Sequence, residues 1–278
     1  MQLIVSLLTM VVIALLITLA VMHSGSDGGD PGSSLRSGPT QPTEPSVFYM
    51  ALHMESQAGL KDACEETWLA HSNDPYVFLV GGGEDKDPQI DGTLLKVPVP
   101  ETFENITLKT YWGMKWALQV KGWTHLCRTN NGTYFQTDMV KGLCCDPSLV
   151  LGGHVKYHTR DHEYFVSGCN MLFSRKAVET IAAISADQVP RTRSLGDDRW
   201  LTRAVCGSLN VLPRHLPYHR VLRTQDEVTP FHWCFRLSDP KDEEQKRLKF
   251  YSVHEGLSNG SHANWVRETV TNDDPGTS

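Results

Sequence analysis

Two adjacent carboxylates, Asp197 and Asp198 in "GDDRWLTRAVCG", are the side chains whose chemistry is easiest to name. A carboxylate in the first turn of a helix can take the proton from an attacking hydroxyl. Acids are favoured there in any case, because they satisfy free N–H groups and oppose the helix dipole, so capping stands as the alternative. The second candidate is "HLCRTNNGTYF", His125 to Phe135, which begins as a buried strand and ends in small polar groups. In that layout Thr129 ends the strand, and the amides of Asn130 and Asn131 meet a ligand at the sheet edge. A plain turn is the alternative, since Asn-Gly suits one well.

Other patterns carry less. Gly81 to Gly83 lack the spacing and the lysine of a phosphate-cradling loop and read as a turn. His154, His158 and His162 recur every four residues, which on a helix would gather imidazoles for zinc. Their neighbours Gly152, Gly153, Val155, Tyr157 and Thr159 suit a strand or loop, where four residues span about 13 Å. Cys144 and Cys145 could form a redox pair, but ordinary disulfides to separate partners fit better. No serine-histidine-acid arrangement has a recognisable spacing, so hydrolase chemistry has no support.

These residues need a scaffold, and the apolar runs supply one. "SVFYMALHM", "YVFLVGGG" and Thr124 to Thr129 read as strands, and the first two are separated by the helical "GLKDACEETWLAHS". In Glu104 to Val120, Leu108, Tyr111, Lys115 and Leu118 share a helical stripe with Met114 beside it. Asn105 is placed to cap that helix and Gly122 to end it. "PSLVLGGHV" and "EYFVSGCNMLFS" follow as strands, then a helix from Arg175 to about Ile184 and another after Gly196. Strand, helix, strand in succession predicts an α/β fold, a parallel or mixed sheet covered by helices.

At 278 residues, 40% hydrophobic and 21% charged, the chain fits one globular domain better than two. Its net charge of -6 gives no footprint for nucleic acid. Leu3 to Met22 is an unbroken uncharged run, and a helix needs about 20 such residues to cross a bilayer. A cleaved signal peptide has a shorter core, roughly 7 to 15 residues, and a small-residue cleavage site. Residues 1–22 are therefore read as a transmembrane signal-anchor, with cleavage and a buried core helix as alternatives. Residues 23–45 read as a flexible stem, 46–265 as the α/β domain and 266–278 as a flexible tail. Three N-glycosylation sequons, at Asn105, Asn131 and Asn259, follow the span. So do all seven cysteines (Cys64, Cys127, Cys144, Cys145, Cys169, Cys206 and Cys234), as expected if some pair in an oxidising lumen.

Four segments together resemble one family. "ETFENITLKTYWGMKWAL" is similar to a stretch of the β-1,3-galactosyltransferases that reads roughly D-x-Y-x-N-L-T-L-K-T-x-x-G-x-K-W-A. "KDACEETW" resembles their R-x-A-I-R-x-T-W, with Lys61, Ala63, Thr67 and Trp68 in register and Glu65 where an arginine is usual. "YFVSGCNMLFSRKAV" and "GDDRWLTRAV" resemble Y-x-x-S-G-x-G-Y-V-L-S-R and x-E-D-V-x-x-G. The resemblance is to the Fringe-like glycosyltransferase family 31 and covers Lys61 to Cys206. It implies a GT-A-like, Rossmann-like fold, type II topology with a luminal domain in the Golgi or endoplasmic reticulum, a UDP-sugar donor, and inverting β-1,3 transfer to a glycan acceptor.

The same resemblance assigns roles. Asp198 falls on the catalytic base, and Thr129, Asn130, Asn131, Lys61 and Asp197 form the donor-binding set. His254 would lie on a late strand near a metal. "CRTNNGTYF" stands where the family has L-K-T-D-D-D-V-F-V, so Asn130, Asn131 and Gly132 replace the three aspartates that hold Mn²⁺. A neutral amide cannot supply the charge a divalent ion needs at a diphosphate. The chain must then bind its donor without metal, recruit carboxylates from elsewhere, or not catalyse transfer. The last case describes a non-catalytic relative that serves a partner glycosyltransferase as chaperone or binds glycans.

Overall fold

Six consecutive buried residues, Val47–Leu52, form β1 at the centre of the fold. The lack of alternation in that run is what a strand covered on both faces requires. The computed structural model describes residues 45–83, 85–191, 196–222, 231–237 and 243–258. The span expected over 1–22, the stem up to residue 44, Asn259 and the tail 266–278 lie outside the described residues. Among the described residues no helix is long and apolar enough to cross a membrane.

After β1 the chain runs through α1 (Ala58–Glu66), β2 (Tyr76–Val80), β3 (Gln89–Asp91), β4 (Leu94–Lys96), α2 (Ile106–Ala117), β5 (His125–Asn130) and β6 (Thr133–Phe135). It continues with α3 (Thr137–Cys144), β7 (Leu151–Gly153), the hairpin β8 (Val155–His158) and β9 (Glu163–Val166), β10 (Met171–Ser174) and α4 (Arg175–Ala182). The last elements are α5 (Asp197–Leu209), β11 (Arg214–His215), β12 (His219–Leu222), β13 (Cys234–Leu237) and α6 (Glu243–Ser258). The main sheet has eight strands in the order β11-β7-β10-β5-β1-β2-β4-β3, and β12-β13-β6 form a smaller one. β1 pairs in parallel with both β2 and β5, whereas β10 runs antiparallel to β5. The fold is thus a mixed α/β sheet clad in helices, as the succession of elements predicts.

The pleat of β1 sorts the core into two layers. Phe48, Met50 and Leu52 pack with the apolar faces of α2, α4 and α5. Val47, Tyr49 and Ala51 pack with α1, α3, α6 and the small sheet. Close approach of α2 depends on Gly113, where an added Cβ would lie 2.6 Å from the Met50 sulfur and 2.7 Å from Leu79. Because β1 leads to β2 on one side and the chain then crosses to β5 on the other, the strand order reverses at β1. The crevice at the carboxyl ends of β1 and β5 is where such sheets place ligands.

Several expectations change. The first helix stops at Glu66 rather than Ser72, because the Thr67 hydroxyl turns back onto the Ala63 carbonyl at 2.5 Å and Leu69 N–H reaches Cys64 O at 3.0 Å. In α2 the buried stripe is Leu108, Tyr111, Met114 and Ala117, while Lys115 is exposed. Asn105 occupies the cap position of α2 without capping it; its Nδ2 donates to Thr102 Oγ1 at 3.0 Å. The triple glycine is not a turn: Gly82, at φ +88°, and Gly83 donate to Val99 O and Val97 O, so the segment runs beside residues 97–99. All seven cysteines are free, and five of them are buried among apolar side chains. They behave as small hydrophobes: burial pushes the Cys64 and Cys144 thiols up to about 12 and keeps those of Cys127 and Cys234 well above their usual range. The expected disulfides are therefore absent.

Candidate functional site

Asn131 follows the last residue of β5 and lies in that crevice. Its backbone N–H donates to Leu52 O at 3.2 Å, tying the end of β5 to the end of β1. Its side chain is buried, and Nδ2 donates to His53 Nδ1 at 3.2 Å and to Gln57 Oε1 at 3.0 Å. The atom that would carry an N-linked glycan is therefore committed inside the folded domain. His53 is kept neutral by burial and by the positive charges of Lys109 and Lys61, which all lower its pKa. Neutral imidazole is what an acceptor for the Asn131 amide must be. Thr129, one residue before Asn130, donates its hydroxyl to Cys169 O at 2.7 Å and so joins β5 to the start of β10.

The α2 side of the edge holds a charge cluster in which Lys109, Arg128 and Asp197 are buried. Lys109 Nζ pairs with Glu101 at 2.7 Å and donates to His53 O at 2.9 Å. Arg128, 2% exposed within β5, pairs with Asp197 and donates to Gly168 O. Thr110 adds a hydroxyl 3.4 Å from Asp197 Oδ2. Buried ions must be paired, and each cation here has its own acid. Asn130 Oδ1 and Arg128 Nε are the exceptions, both buried without a hydrogen-bond partner. They belong to alternate residues of one strand and so share a face, where an acceptor and a donor remain for a ligand or water to meet.

Asp198 stands beside this cluster and is half-buried. Gly168 N–H donates to its Oδ2 at 3.2 Å and Arg199 N–H to its Oδ1 at 2.8 Å. Both acids lie in the first turn of α5, where Asp198 accepts from the free N–H of Arg199, so a helix-end role stands beside the catalytic one. Burial first, and the Asp197 charge second, raise the Asp198 pKa above the usual carboxylate value. Gly168 is needed here: a Cβ would lie 2.6 Å from Arg128 Nη1 and 3.4 Å from Asp198 Cβ. The start of α5 is fixed from outside, because Arg199 pairs with Glu163 of the β8-β9 hairpin at 2.5 Å and Val166 N–H donates to Thr202 Oγ1 at 3.1 Å.

Of the residues assigned from sequence, Thr129, Asn130, Asn131, Asp197 and Asp198 come together at this edge. Lys61 belongs to its margin: it pairs with Glu65 at 2.6 Å, lies 5.5 Å from the Phe78 ring centre, and adds its charge to the field at His53. His254 lies on helix α6 rather than a late strand, with Nδ1 3.0 Å from the Tyr134 hydroxyl and its ring stacked 5.4 Å from His71. Among the described residues no three His, Cys, Asp or Glu side chains gather as a metal would require. At the edge itself Glu101 and Asp197 are already neutralised by Lys109 and Arg128, and Asn130, Asn131 and Gly132 carry no charge. This donor set does not fit Mn²⁺. His53, Gln57, Glu101, Lys109 and Arg128 were not foreseen. Arg128 had a readable signal, since a guanidinium inside an apolar strand run demands a partner.

No family model matches the sequence, and no curated protein matches it. Among solved structures, the fold is similar to that of a glycosyltransferase involved in the glycosylation of the major capsid of PBCV-1. That match has a TM-score of 0.50 at 9% identity, over 74% of this chain and 100% of that one. A protein from STIV matches with a TM-score of 0.31 at 11% identity, over 56% of this chain and 75% of that one, too loosely to bear on the fold. At these identities the likeness is one of architecture: the chain has a glycosyltransferase-like mixed α/β fold.

Proposed function

We propose that the chain is an inverting transferase that moves a hexose or N-acetylhexosamine from a UDP-sugar to a glycan hydroxyl in β-1,3 linkage, with Asp198 as base. The observation that carries this is the state of Asp198: a half-buried carboxylate with a raised pKa, held by Gly168 at the carboxyl edge of a glycosyltransferase-like sheet. Asp198 takes the proton of the acceptor hydroxyl as that oxygen attacks the anomeric carbon. The bond from that carbon to the phosphate oxygen breaks, and its electron pair leaves with UDP. A pKa raised toward working pH suits such a base. The donor is held without a divalent ion, by hydrogen bonds at the edge, with Arg128 Nε as a free donor and Asn130 Oδ1 as a free acceptor. Type II anchoring through residues 1–22 and a Golgi or endoplasmic reticulum location belong to the same proposal and rest on the apolar run and the family resemblance.

A second reading has its own support. Asn131 is locked to His53 and Gln57 where the family holds its metal-binding acids, which favours a non-catalytic relative that binds a glycan or a partner glycosyltransferase. Calorimetry of the purified protein with UDP-galactose and UDP-N-acetylglucosamine, in manganese and in chelator, separates them. Binding of equal strength in both conditions supports the metal-free transferase; no binding in either removes it.

A further inference from the structure

Along the flank of α2 two recesses adjoin at Trp112. One, of about 480 Å³, is lined by Lys86, Leu108, Trp112, Asp187 and Arg191 among others. The other, of about 360 Å³, is lined by Asp87, Trp112, Lys115, Trp116 and Gln119. Neither contains Asp198 or the Asn131 crevice. We infer that the two recesses form one groove that binds a neutral oligosaccharide of at least two pyranose rings, with Trp112 and Trp116 as its platform.

The spacing comes first. Residues four apart lie on one flank of a helix and about 6 Å apart along its axis, which sets two indoles side by side at roughly the repeat of a sugar chain. The C–H face of a pyranose is apolar, and a half-buried indole offers it a broad flat surface with little entropy to lose. Both rings are anchored from behind: Trp116 lies 6.3 Å from Phe48 and Trp112 lies 5.8 Å from Tyr111. Each recess falls within the size of small-ligand sites, about 300 to 1,000 Å³.

The rim sets the ligand class. Asp85, Asp87 and Asp187 face Lys86, Lys115 and Arg191 around the two recesses, three acids against three cations. Among the described lining residues these charges balance, which leaves no excess of positive charge to select a phosphate or a polyanion. The lining therefore offers both acceptors and donors, with the Gln119 amide supplying both, and sugar hydroxyls need both. Lys115 Nζ already lies 5.2 Å from the Trp112 ring centre, where it can turn to a hydroxyl of the bound sugar. The groove does not depend on Asp198 acting as a base. In a transferase it would hold the acceptor, and in a non-catalytic relative it would be the binding site itself.

The test uses the full chain with N-acetyllactosamine, triacetylchitotriose and cellotetraose as probes, read by calorimetry and saturation-transfer NMR. We expect at least one probe to bind with a Kd of about 1 mM or tighter. Trp116→Ala should weaken that binding at least about tenfold, and Gln119→Ala, at an exposed position, by about threefold or more. If Trp116→Ala proves unfolded by circular dichroism, Gln119→Ala and Asp87→Ala decide together. Binding of no probe, binding unchanged in the folded variants, or displacement of the probe by UDP would overturn the inference. Saccharide binding without UDP-sugar binding would overturn the transferase reading and leave the groove; the converse would do the opposite.

Discussion

Asp197 and Asp198 are neighbours in sequence and opposite in circumstance. Asp197 is spent on Arg128, while Asp198 keeps a raised pKa and faces two backbone N–H groups. A folded pKa above the unfolded one means that the stability this group contributes is present below its ordinary value of 3.8 and is lost as pH rises through the folded value. At neutral pH ionised Asp198 is therefore a cost to folding. Asp198→Asn should melt at or above the parent temperature at pH 7, and its advantage should vanish as pH falls toward 3.8. Transfer by the same variant should drop by about 10² to 10⁴, measured as initial rates with UDP-sugar. Asp197→Asn should behave in the contrary way. It leaves a guanidinium buried without a counter-charge, and denaturant melts should show a loss of about 3–5 kcal/mol. Replacing both partners, Arg128→Met with Asp197→Leu, should recover most of that loss, because no uncompensated charge remains.

At the scale of elements, the junction of β7 and β8, with β11 and β12, brings histidines together by topology. His154 stacks 4.7 Å from His219 and lies 5.7 Å from His215. Burial lowers the His219 pKa to about 4, with His154, Arg236, Lys156 and His232 adding positive charge in that order. Neutral His219 is the form that accepts from Asn170 Nδ2 at 2.8 Å, beside the start of β10. With the folded pKa below the ordinary 6.5, the contribution to stability is complete above 6.5 and declines as pH falls toward about 4. Melting temperatures across that range should fall more steeply for the parent than for His219→Asn. Equal slopes would show that the histidine cluster does not titrate with unfolding.

For the whole molecule, the free cysteines set the terms of stability. The two core layers are held by apolar packing without covalent cross-links among the described residues. Reductant should leave the melting temperature unchanged. Thiol titration without reductant should find Cys145, the one exposed cysteine, reacting first in the native protein, and seven thiols after denaturation. A count below seven would mean that a disulfide forms. Free cysteines also remove one of the two features that suggested an oxidising lumen. The other is narrowed, since Nδ2 of Asn131 is buried and bonded.

What the sequence determined by itself is local. β1, β2 and β5 are readable because a strand buried on both faces must be a continuous apolar run, and α5 because Gly196 and two acids mark its start. The pairing "SG" before β10 and the charge in "HLCRT" were visible, though not their meaning. That meaning lies in contacts between distant positions: Asn131 meets His53 across 78 residues and Gln57 across 74, and Arg128 meets Asp197 across 69. Such meetings depend on which strands become neighbours, and topology decides that through packing of both faces of the sheet. "FYSVHEG" shows the limit from the other side. The family resemblance places a strand there, but Phe250, Val253 and Leu257 recur at helical spacing in the core that α1 also lines, and burial of that stripe makes α6 a helix. Cysteine pairing is likewise set by three-dimensional distance and direction, which spacing along the chain does not encode.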